Sequence, residues 1–239
     1  MNWLNNPLSK PAHDRGDIIH FTHDDFGQIL VIEHGVYRIL NFDSPFEQSC
    51  MNMRQPYQLA HKYTRMMALV LSYIQPKHIT LLGLGGGSLL RTFHHILPKC
   101  HFNVIELRPK VVDLALEYFY IPNDERVSIN INNGLIEISK IESQSTDIIF
   151  ADMYDAYSMV QEQIQNDFLL NCSRVLTDQG FLVINLHKLP KEKNALFQKI
   201  KAHFTTLLMT TSIGNIILFA SKQHTQDPDS NKQYIQDIE

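Results

Sequence analysis

The sequence predicts an α/β protein with a mostly parallel β-sheet, helices on both faces of that sheet and a small antiparallel β-meander before it. Three observations lead to this prediction. β-type and helical segments alternate from residue 78 onward, and a glycine-rich turn joins the first strand of that series to its helix. Three short β-type segments separated by turns precede the series.

The N-terminal part of the chain is predicted to be mainly β-structured. Residues 1–15 are polar and are expected to form a loosely held arm. Turns separate the next runs of β-forming residues, which predicts a meander with strands at 18–21, 28–33 and 36–40. The segment from Pro45 to Pro56 is expected to be a polar connector, and a helix is expected from about Tyr57 to Ile74.

Strands and helices then alternate. Strands are predicted at 79–82, 102–106, 127–131, 146–151 and 180–186, and helices at 89–97, 109–119, from about 134, at 161–176 and at 191–204. The last two β-type runs, 206–211 and 216–221, flank a Gly214-Asn215 turn and are predicted to form a hairpin. One antiparallel strand in a seven-stranded, Rossmann-like sheet is more typical of S-adenosylmethionine-dependent methyltransferase-type folds than of NAD dehydrogenases.

The glycine-rich turn lies in the segment HITLLGLGGGS, residues 78–88. A β-forming run ends at Gly83, Gly85 and Gly87 follow, and a helical pattern begins directly afterwards. Because glycine has no Cβ atom, such a turn lets the backbone approach a ligand at a helix N-terminus, as in nucleotide pockets. By itself the pattern is weak, since it reads Gly-x-Gly-x-x-Ser and glycine clusters also occur in turns that bind nothing.

The next strand strengthens the nucleotide hypothesis. It ends at Glu106, about twenty residues after the first glycine, where such folds place the acid that binds the ribose hydroxyls. The alternative is a solvated acid at a strand end. An acid here suits NAD and S-adenosylmethionine equally well, so its position does not decide the chemistry.

Further strand ends are predicted to meet the same pocket, because ligands bind outside the carboxyl ends of parallel strands. Leu107 and the pair Asn133-Gly134 follow two of these strands, and Asp152 and Asp155 follow a third. One carboxylate there can accept a proton from a nucleophile and a second can hold a cation. The alternative for Asp152 is a simple capping role.

Length and composition limit the class of protein. A chain of 239 residues can bury one sizeable core, and we expect an N-terminal arm and meander at 1–55, a catalytic domain at 56–222 and a polar tail at 223–239. The formal charge of −4 argues against a nucleic-acid binder, and no apolar run is long enough for a membrane span. Three scattered cysteines predict neither a disulfide framework nor a metal site and fit a reducing cytoplasm.

The chain resembles the spermidine synthase-like polyamine aminopropyltransferases over about residues 18–222. The matching segments are 25–31, Gln48-Ser49, 63–67, 82–88, 104–107, Asn133-Gly134, Asp152-x-x-Asp155 and 180–185. The resemblance implies transfer of an aminopropyl group from decarboxylated S-adenosylmethionine to a diamine such as putrescine, without a metal. It also implies a homo-oligomer, expected to be a dimer, that associates through the N-terminal strands.

The resemblance also implies residue roles. Asp152 would deprotonate and position the attacking amine, while Asp155 and Tyr63 would hold the substrate. The residues implied for the nucleotide are Gln28, Gly83, Gly85, Gly87, Glu106 for the ribose, Leu107, Asn133 for the adenine amino group, and Gly134.

Several positions depart from the family pattern. Gly86 stands where an aspartate usually binds the donor's ammonium group, Thr64 replaces a glutamine, and the usual lid segment has no match between Phe204 and Phe219. Two alternatives therefore stay open: a methyltransferase that uses unmodified S-adenosylmethionine, and a non-catalytic nucleotide-binding relative.

Overall fold

The computed structural model describes residues 16–42, 44, 47–155, 160–186, 189, 193–212 and 214–223. The predicted arm at 1–15 and residues 224–239 of the predicted tail lie outside this range. Within the described residues the strands form two sheets, one of four strands and one of seven. None of the helices in that part of the chain has the length and apolar character that crossing a membrane requires.

The smaller sheet is an antiparallel meander at the N-terminal side. Its strands pair in chain order and are β1 (Asp17–Asp24), β2 (Gly27–His34), β3 (Tyr37–Asn41) and β4 (Glu47–Asn52). The apolar side chains of β2 and β3 pack with Val111, Leu114 and Phe119, which belong to or directly follow a helix of the larger unit. As expected for so small a sheet, it is stabilised by packing on its neighbour.

The larger sheet is mostly parallel. Its strands are β5 (His78–Leu82), β6 (His101–Glu106), β7 (Val127–Ile131), β8 (Thr146–Ala151), β9 (Leu176–Leu186), β10 (Thr206–Ser212) and β11 (Asn215–Ser221). Their spatial order is β10-β11-β9-β8-β5-β6-β7, and β11 runs antiparallel to both of its neighbours. This arrangement confirms the predicted seven-stranded sheet with one antiparallel strand from a terminal hairpin.

Helices cover both faces of this sheet. They are α1 (Lys62–Ala68), α2 (Ser88–Ile96), α3 (Pro109–Tyr118), α4 (Gly134–Glu137), α5 (Asn166–Val175) and α6 (Lys193–Lys201), with short 3₁₀ segments at Leu69–Ser72 and Gln161–Ile164. Side chains alternate between the two faces along each strand. In β8, Phe150 packs in the core under α1 and α2, whereas Ile149 packs in the core under α5 and α6.

The predicted connector from Pro45 to Pro56 is wrong in its central part, because β4 pairs with β3 there. Its sequence, EQSCMN, is polar and lacks the alternation that marks a strand. Ser49, Cys50 and Met51 are nevertheless buried, so tertiary packing outweighs weak local β-propensity.

Three predicted boundaries also differ from the structure. The helix expected at 57–74 begins only at Lys62, because the carbonyls of Pro56 and Tyr57 accept hydrogen bonds from side chains of α2 instead of helical amides. The helix expected at 161–176 is interrupted at Gln165, whose ψ of 156° is extended, and β9 begins at Leu176 rather than at residue 180.

Candidate active site

A cavity of about 540 Å³ lies at the carboxyl ends of β5, β6 and β8 and is bordered by β4. β6 lies on one side of β5 and β8 lies on the other, so the order of the strands in the sheet reverses at β5. Ligands bind at such a topological switch point in open α/β sheets. The lining includes the sequence-predicted residues Tyr63, Gly83, Gly85, Glu106, Leu107, Asn133, Gly134, Asp152 and Asp155.

The glycine turn fixes one wall of the cavity. Gly83 has a φ of +95°, and a Cβ atom there would lie 2.5 Å from the Asp152 carbonyl oxygen. Gly85 also has a positive φ, of +54°, and lines the cavity. Gly87, with a φ of +65°, packs instead against Ile121 and is the residue that precedes α2. Gly83 and Gly85 therefore bring the backbone to the cavity, whereas Gly87 shapes the turn behind it.

Glu106 lies beside this turn at the end of β6 and is 8% exposed. Its carboxylate accepts hydrogen bonds from the backbone N–H groups of Leu84, at 2.8 Å, and Arg108, at 2.9 Å. Burial raises the pKa of Glu106, and these hydrogen bonds oppose that rise. Because each carboxylate oxygen has a second lone pair, Glu106 can still accept hydrogen bonds from a ligand's hydroxyl groups.

Arg108 connects this part of the cavity with the N-terminal sheet. Its guanidinium donates to both carboxylate oxygens of Asp24, at 2.9 and 2.7 Å, and to the carbonyl oxygen of Gly27, at 2.9 Å. It also lies 4.3 Å above the ring of Phe42. Gln28 follows this anchored turn, but it is exposed and is not among the described residues that line the cavity. Its implied contact with the nucleotide stays a prediction.

Asn133 and Gly134 lie at the start of α4. The Asn133 side-chain oxygen accepts a hydrogen bond from the Leu135 N–H at 2.9 Å and so caps this helix. The amide group of Asn133 thus has a structural partner and also faces the cavity. Leu107 is 42% exposed and lines the cavity next to Glu106.

Asp152 follows β8 and is held by two side chains. The Asn185 amide donates to Oδ1 of Asp152 at 2.8 Å, and the Tyr63 hydroxyl donates to Oδ2 at 3.4 Å. Burial raises the pKa of Asp152 above its ordinary value, and the hydrogen bonds from Asn185 and Tyr63 lower it in part. A carboxylate held in this way and facing a cavity is suited to accept a proton.

Two tyrosines and a second carboxylate surround Asp152. Burial, together with the charge of Asp152, raises the pKa of Tyr63 well above its ordinary value, so its hydroxyl is protonated and acts as a donor. Burial also raises the pKa of Tyr154, whose hydroxyl donates to the Asn185 carbonyl oxygen at 3.2 Å. Asp155 is exposed at the cavity mouth. The structure thus brings together in one cavity the three residues that were predicted to contact the amine substrate, namely Asp152, Asp155 and Tyr63.

Sequence reasoning assigned no role to Asn185, Glu47 or His61, which also line the cavity. Asn185 is 2% exposed at the end of the otherwise apolar segment GFLVINL, and a buried amide in such a run is a signal that could have indicated it. Glu47 lies in the segment that was predicted to be a connector. His61 directly precedes α1 and gives no comparable signal in the sequence.

Known proteins resemble this chain in sequence and in fold. The family model described as spermine/spermidine synthase domain matches residues 60–218. A polyamine aminopropyltransferase of Neisseria meningitidis serogroup A is 27% identical over 213 residues, which cover 87% of this chain and 81% of that protein.

Solved structures with the same fold include a probable spermidine synthase from Corynebacterium glutamicum. It has a TM-score of 0.78 at 20% identity, with 92% of this chain and 86% of that chain covered. Human methyltransferase-like protein 13, solved in complex with SAH, has a TM-score of 0.60 at 22% identity and covers 74% of this chain and 87% of its own. At these identities, the two structures establish the fold.

Proposed function

Because the chain belongs to the spermine/spermidine synthase family, we propose that it is a polyamine aminopropyltransferase. It transfers an aminopropyl group from decarboxylated S-adenosylmethionine to a diamine such as putrescine. The observation that carries the proposal is the half-buried Asp152 carboxylate, held by Asn185 and Tyr63 in the same cavity as Glu106.

The chemistry requires alignment and removal of a proton. A diamine is cationic at neutral pH, so one ammonium group must lose a proton before its nitrogen can attack the carbon next to the donor's sulfonium. Asp152 accepts that proton, a C–N bond forms, the C–S bond breaks and methylthioadenosine leaves with the electron pair. Holding both reactants in one cavity converts a bimolecular reaction into an effectively unimolecular one.

The other predicted site residues divide between the two substrates. Glu106 binds the ribose hydroxyls, the backbone at Gly83 and Gly85 packs against the nucleotide, and Asn133 binds the adenine amino group. The remaining contacts to the nucleotide come from Leu107, Gly134 and, through the anchored β1–β2 turn, Gln28. Tyr63 and Asp155 hold the diamine, because a hydroxyl and a carboxylate suit a cationic chain.

The test is a transfer assay on the purified full-length chain with decarboxylated S-adenosylmethionine and a panel of diamines. Release of methylthioadenosine together with an aminopropylated diamine is the expected result. If no diamine in the panel reacts while the protein transfers a methyl group from unmodified S-adenosylmethionine, the proposal is wrong.

Methyl transfer is the second candidate. The observation that favours it is Gly86, which lacks the carboxylate that the family usually directs at the donor. The affinities for the two donors, measured by calorimetry, separate the candidates. Preference for the decarboxylated donor excludes methyl transfer as the main activity.

We also propose that the protein forms a dimer through its N-terminal sheet. We further propose that it acts in the cytoplasm, and that its partners are small amines rather than nucleic acids or membranes. The outer strand β1 carries Ile18, 48% exposed, and Phe21, 56% exposed, which are suited to an interface. All three cysteines are buried free thiols, in agreement with a reducing compartment. Light scattering on the purified protein checks the dimer, and a monomeric mass contradicts it.

A further inference from the structure

β4 places three consecutive side chains on the cavity. Leu40 of β3 pairs with Ser49, whereas the next residue, Asn41, pairs with Glu47, so Gln48 is the extra residue of a β-bulge. A bulge locally bends the strand and re-aims its side chains. Glu47, Gln48 and Ser49 all line the cavity as a result.

The same strand lies directly against the glycine turn. A Cβ atom at Gly86 would lie 2.8 Å from Ser49 Oγ, 2.9 Å from Ser49 Cβ and 3.0 Å from a ring carbon of Phe119. The Ser49 hydroxyl is also 3.1 Å from that of Ser88, at the start of α2. The turn therefore has no room for a side chain at position 86, and β4 provides the side chains at this wall of the cavity.

Glu47 is the acidic residue of this wall. Its side chain is only 4% exposed, and its carboxylate lies 3.9 Å from Nε2 of His61, a second cavity residue. Burial, together with the charge of Arg65, lowers the pKa of His61 to about 4, so the imidazole is neutral at pH 7. Arg91, a buried cation beneath the glycine turn, donates to backbone carbonyls, including that of Gly86 at 2.9 Å. A buried carboxylate at a cavity wall favours a cationic ligand group.

We propose that Glu47, positioned by the bulge in β4, binds the ammonium group of the donor's aminopropyl chain and thereby selects decarboxylated over unmodified S-adenosylmethionine. This inference rests on the proposed function. The unmodified donor carries a carboxylate on the carbon that bears the ammonium group. The negative charge of Glu47 repels that carboxylate. Methylthioadenosine has neither group, so its binding does not depend on Glu47.

The experiment compares wild type, Glu47→Gln and a matched control, Glu125→Gln, in calorimetric titrations with both donors and methylthioadenosine. Glu125 is exposed and lies outside the described lining of the cavity. For Glu47→Gln we expect about ten- to a hundredfold weaker binding of the decarboxylated donor, because a charged hydrogen bond is lost. We also expect a smaller preference over the unmodified donor, while methylthioadenosine affinity stays at the wild-type value.

The outcomes separate this inference from the proposed function. If wild type prefers the decarboxylated donor and Glu47→Gln keeps the same preference, the role of Glu47 is wrong while the proposed function stands. If wild type prefers unmodified S-adenosylmethionine, the proposed function itself fails. Unchanged methylthioadenosine binding shows that Glu47→Gln is folded. If this variant does not fold, Glu47→Asp is used in its place. A preference of Glu47→Asp for the decarboxylated donor that is smaller than that of Glu125→Gln, but not lost, then supports the inference.

Discussion

At the scale of single residues, Asp152 combines two opposing influences. Burial favours its neutral form, while hydrogen bonds from Asn185 and Tyr63 favour its ionised form. The net result is a raised pKa, which makes the carboxylate a stronger base than an exposed aspartate. The positions of Asn185 and Tyr63 therefore influence the pH range in which the Asp152 carboxylate is ionised.

Replacing Asp152 by asparagine should remove the base and keep the shape of the side chain. We expect turnover to fall by about 10²- to 10⁴-fold, with methylthioadenosine affinity unchanged. Because the folded-state pKa is raised, ionisation of Asp152 destabilises the fold above its ordinary pKa. The variant should therefore be at least as stable as wild type at pH 7, and this advantage should disappear at acidic pH. Retained turnover would remove Asp152 from the mechanism.

Replacing Asn185 by alanine should change the pH profile rather than only the rate. Loss of the 2.8 Å hydrogen bond to Oδ1 raises the pKa of Asp152 further, so the acidic limb of kcat/KM moves to higher pH. Activity lost at neutral pH should return in part at alkaline pH. Asn194→Ala, at an exposed position on α6, is the control. A uniform loss at every pH would indicate a merely structural role.

The residues of the candidate site were predictable where they lie at or just after the end of a strand. Glu106 ends β6, Asn133 lies two residues after β7 and Asp152 directly follows β8, and the sheet brings these positions together. Asn185 and Glu47 were not assigned a role, because their proximity depends on pairing between segments far apart in sequence. The roles of the predicted site residues remain proposals until variants are measured.

At the scale of elements, β4 and the glycine turn depend on each other. Ser49 fills the space that a side chain at position 86 would need. The sequence alone shows the glycine but not its neighbour, because β4 has a polar sequence without strand alternation. Its pairing with β3 and the burial of Ser49 to Met51 produce the strand. An element that is stabilised by tertiary contacts is the kind that local patterns miss.

Adding a single methyl group at Gly86 tests this arrangement. We expect Gly86→Ala to lower the free energy of unfolding by about 1–3 kcal/mol, the usual cost of overpacking a filled site. Ser49→Gly removes two of the three close atoms, so the double variant should recover part of the loss. Denaturant unfolding of the four proteins gives the coupling free energy. Additive losses would contradict the close contact.

At the scale of the whole molecule, the sequence predicted the larger sheet well. Alternating strands and helices predict a parallel sheet, and the Gly214-Asn215 turn between two β-type runs predicts the hairpin that adds the antiparallel strand. How the meander docks was not predictable, because it depends on Arg108, which lies more than eighty residues from its partner Asp24. Both side chains of this ion pair are largely buried.

The ion pair makes the docking of the meander sensitive to pH. Burial alone would raise the pKa of Asp24, but hydrogen bonds from Arg108 and Phe26, together with the charges of Arg108 and Lys110, hold it below its ordinary value of 3.8. This stabilisation is present above the unfolded-state pKa and is lost as the pH falls through the folded-state pKa. The stabilisation by the Asp24–Arg108 ion pair is therefore lost below about pH 4.

We expect Asp24→Asn to reduce the free energy of unfolding at pH 7 by about 3 kcal/mol, because the variant leaves the buried Arg108 charge unbalanced. Denaturant unfolding measured as a function of pH checks this. The difference from wild type should shrink below about pH 4, where Asp24 itself becomes protonated. A difference that stays constant down to the lowest accessible pH would show that the charge of Asp24 is not its cause.

Arg108 touches both parts of the molecule, since its backbone N–H holds Glu106 and its guanidinium holds Asp24 and Gly27. We therefore expect a nucleotide that restricts Glu106 to restrict the β1–β2 hairpin as well. If it does, thermodynamic reciprocity requires that loosening the hairpin weaken nucleotide binding by the same free energy. Slower amide hydrogen exchange in β1 on addition of the nucleotide would then report binding from outside the cavity.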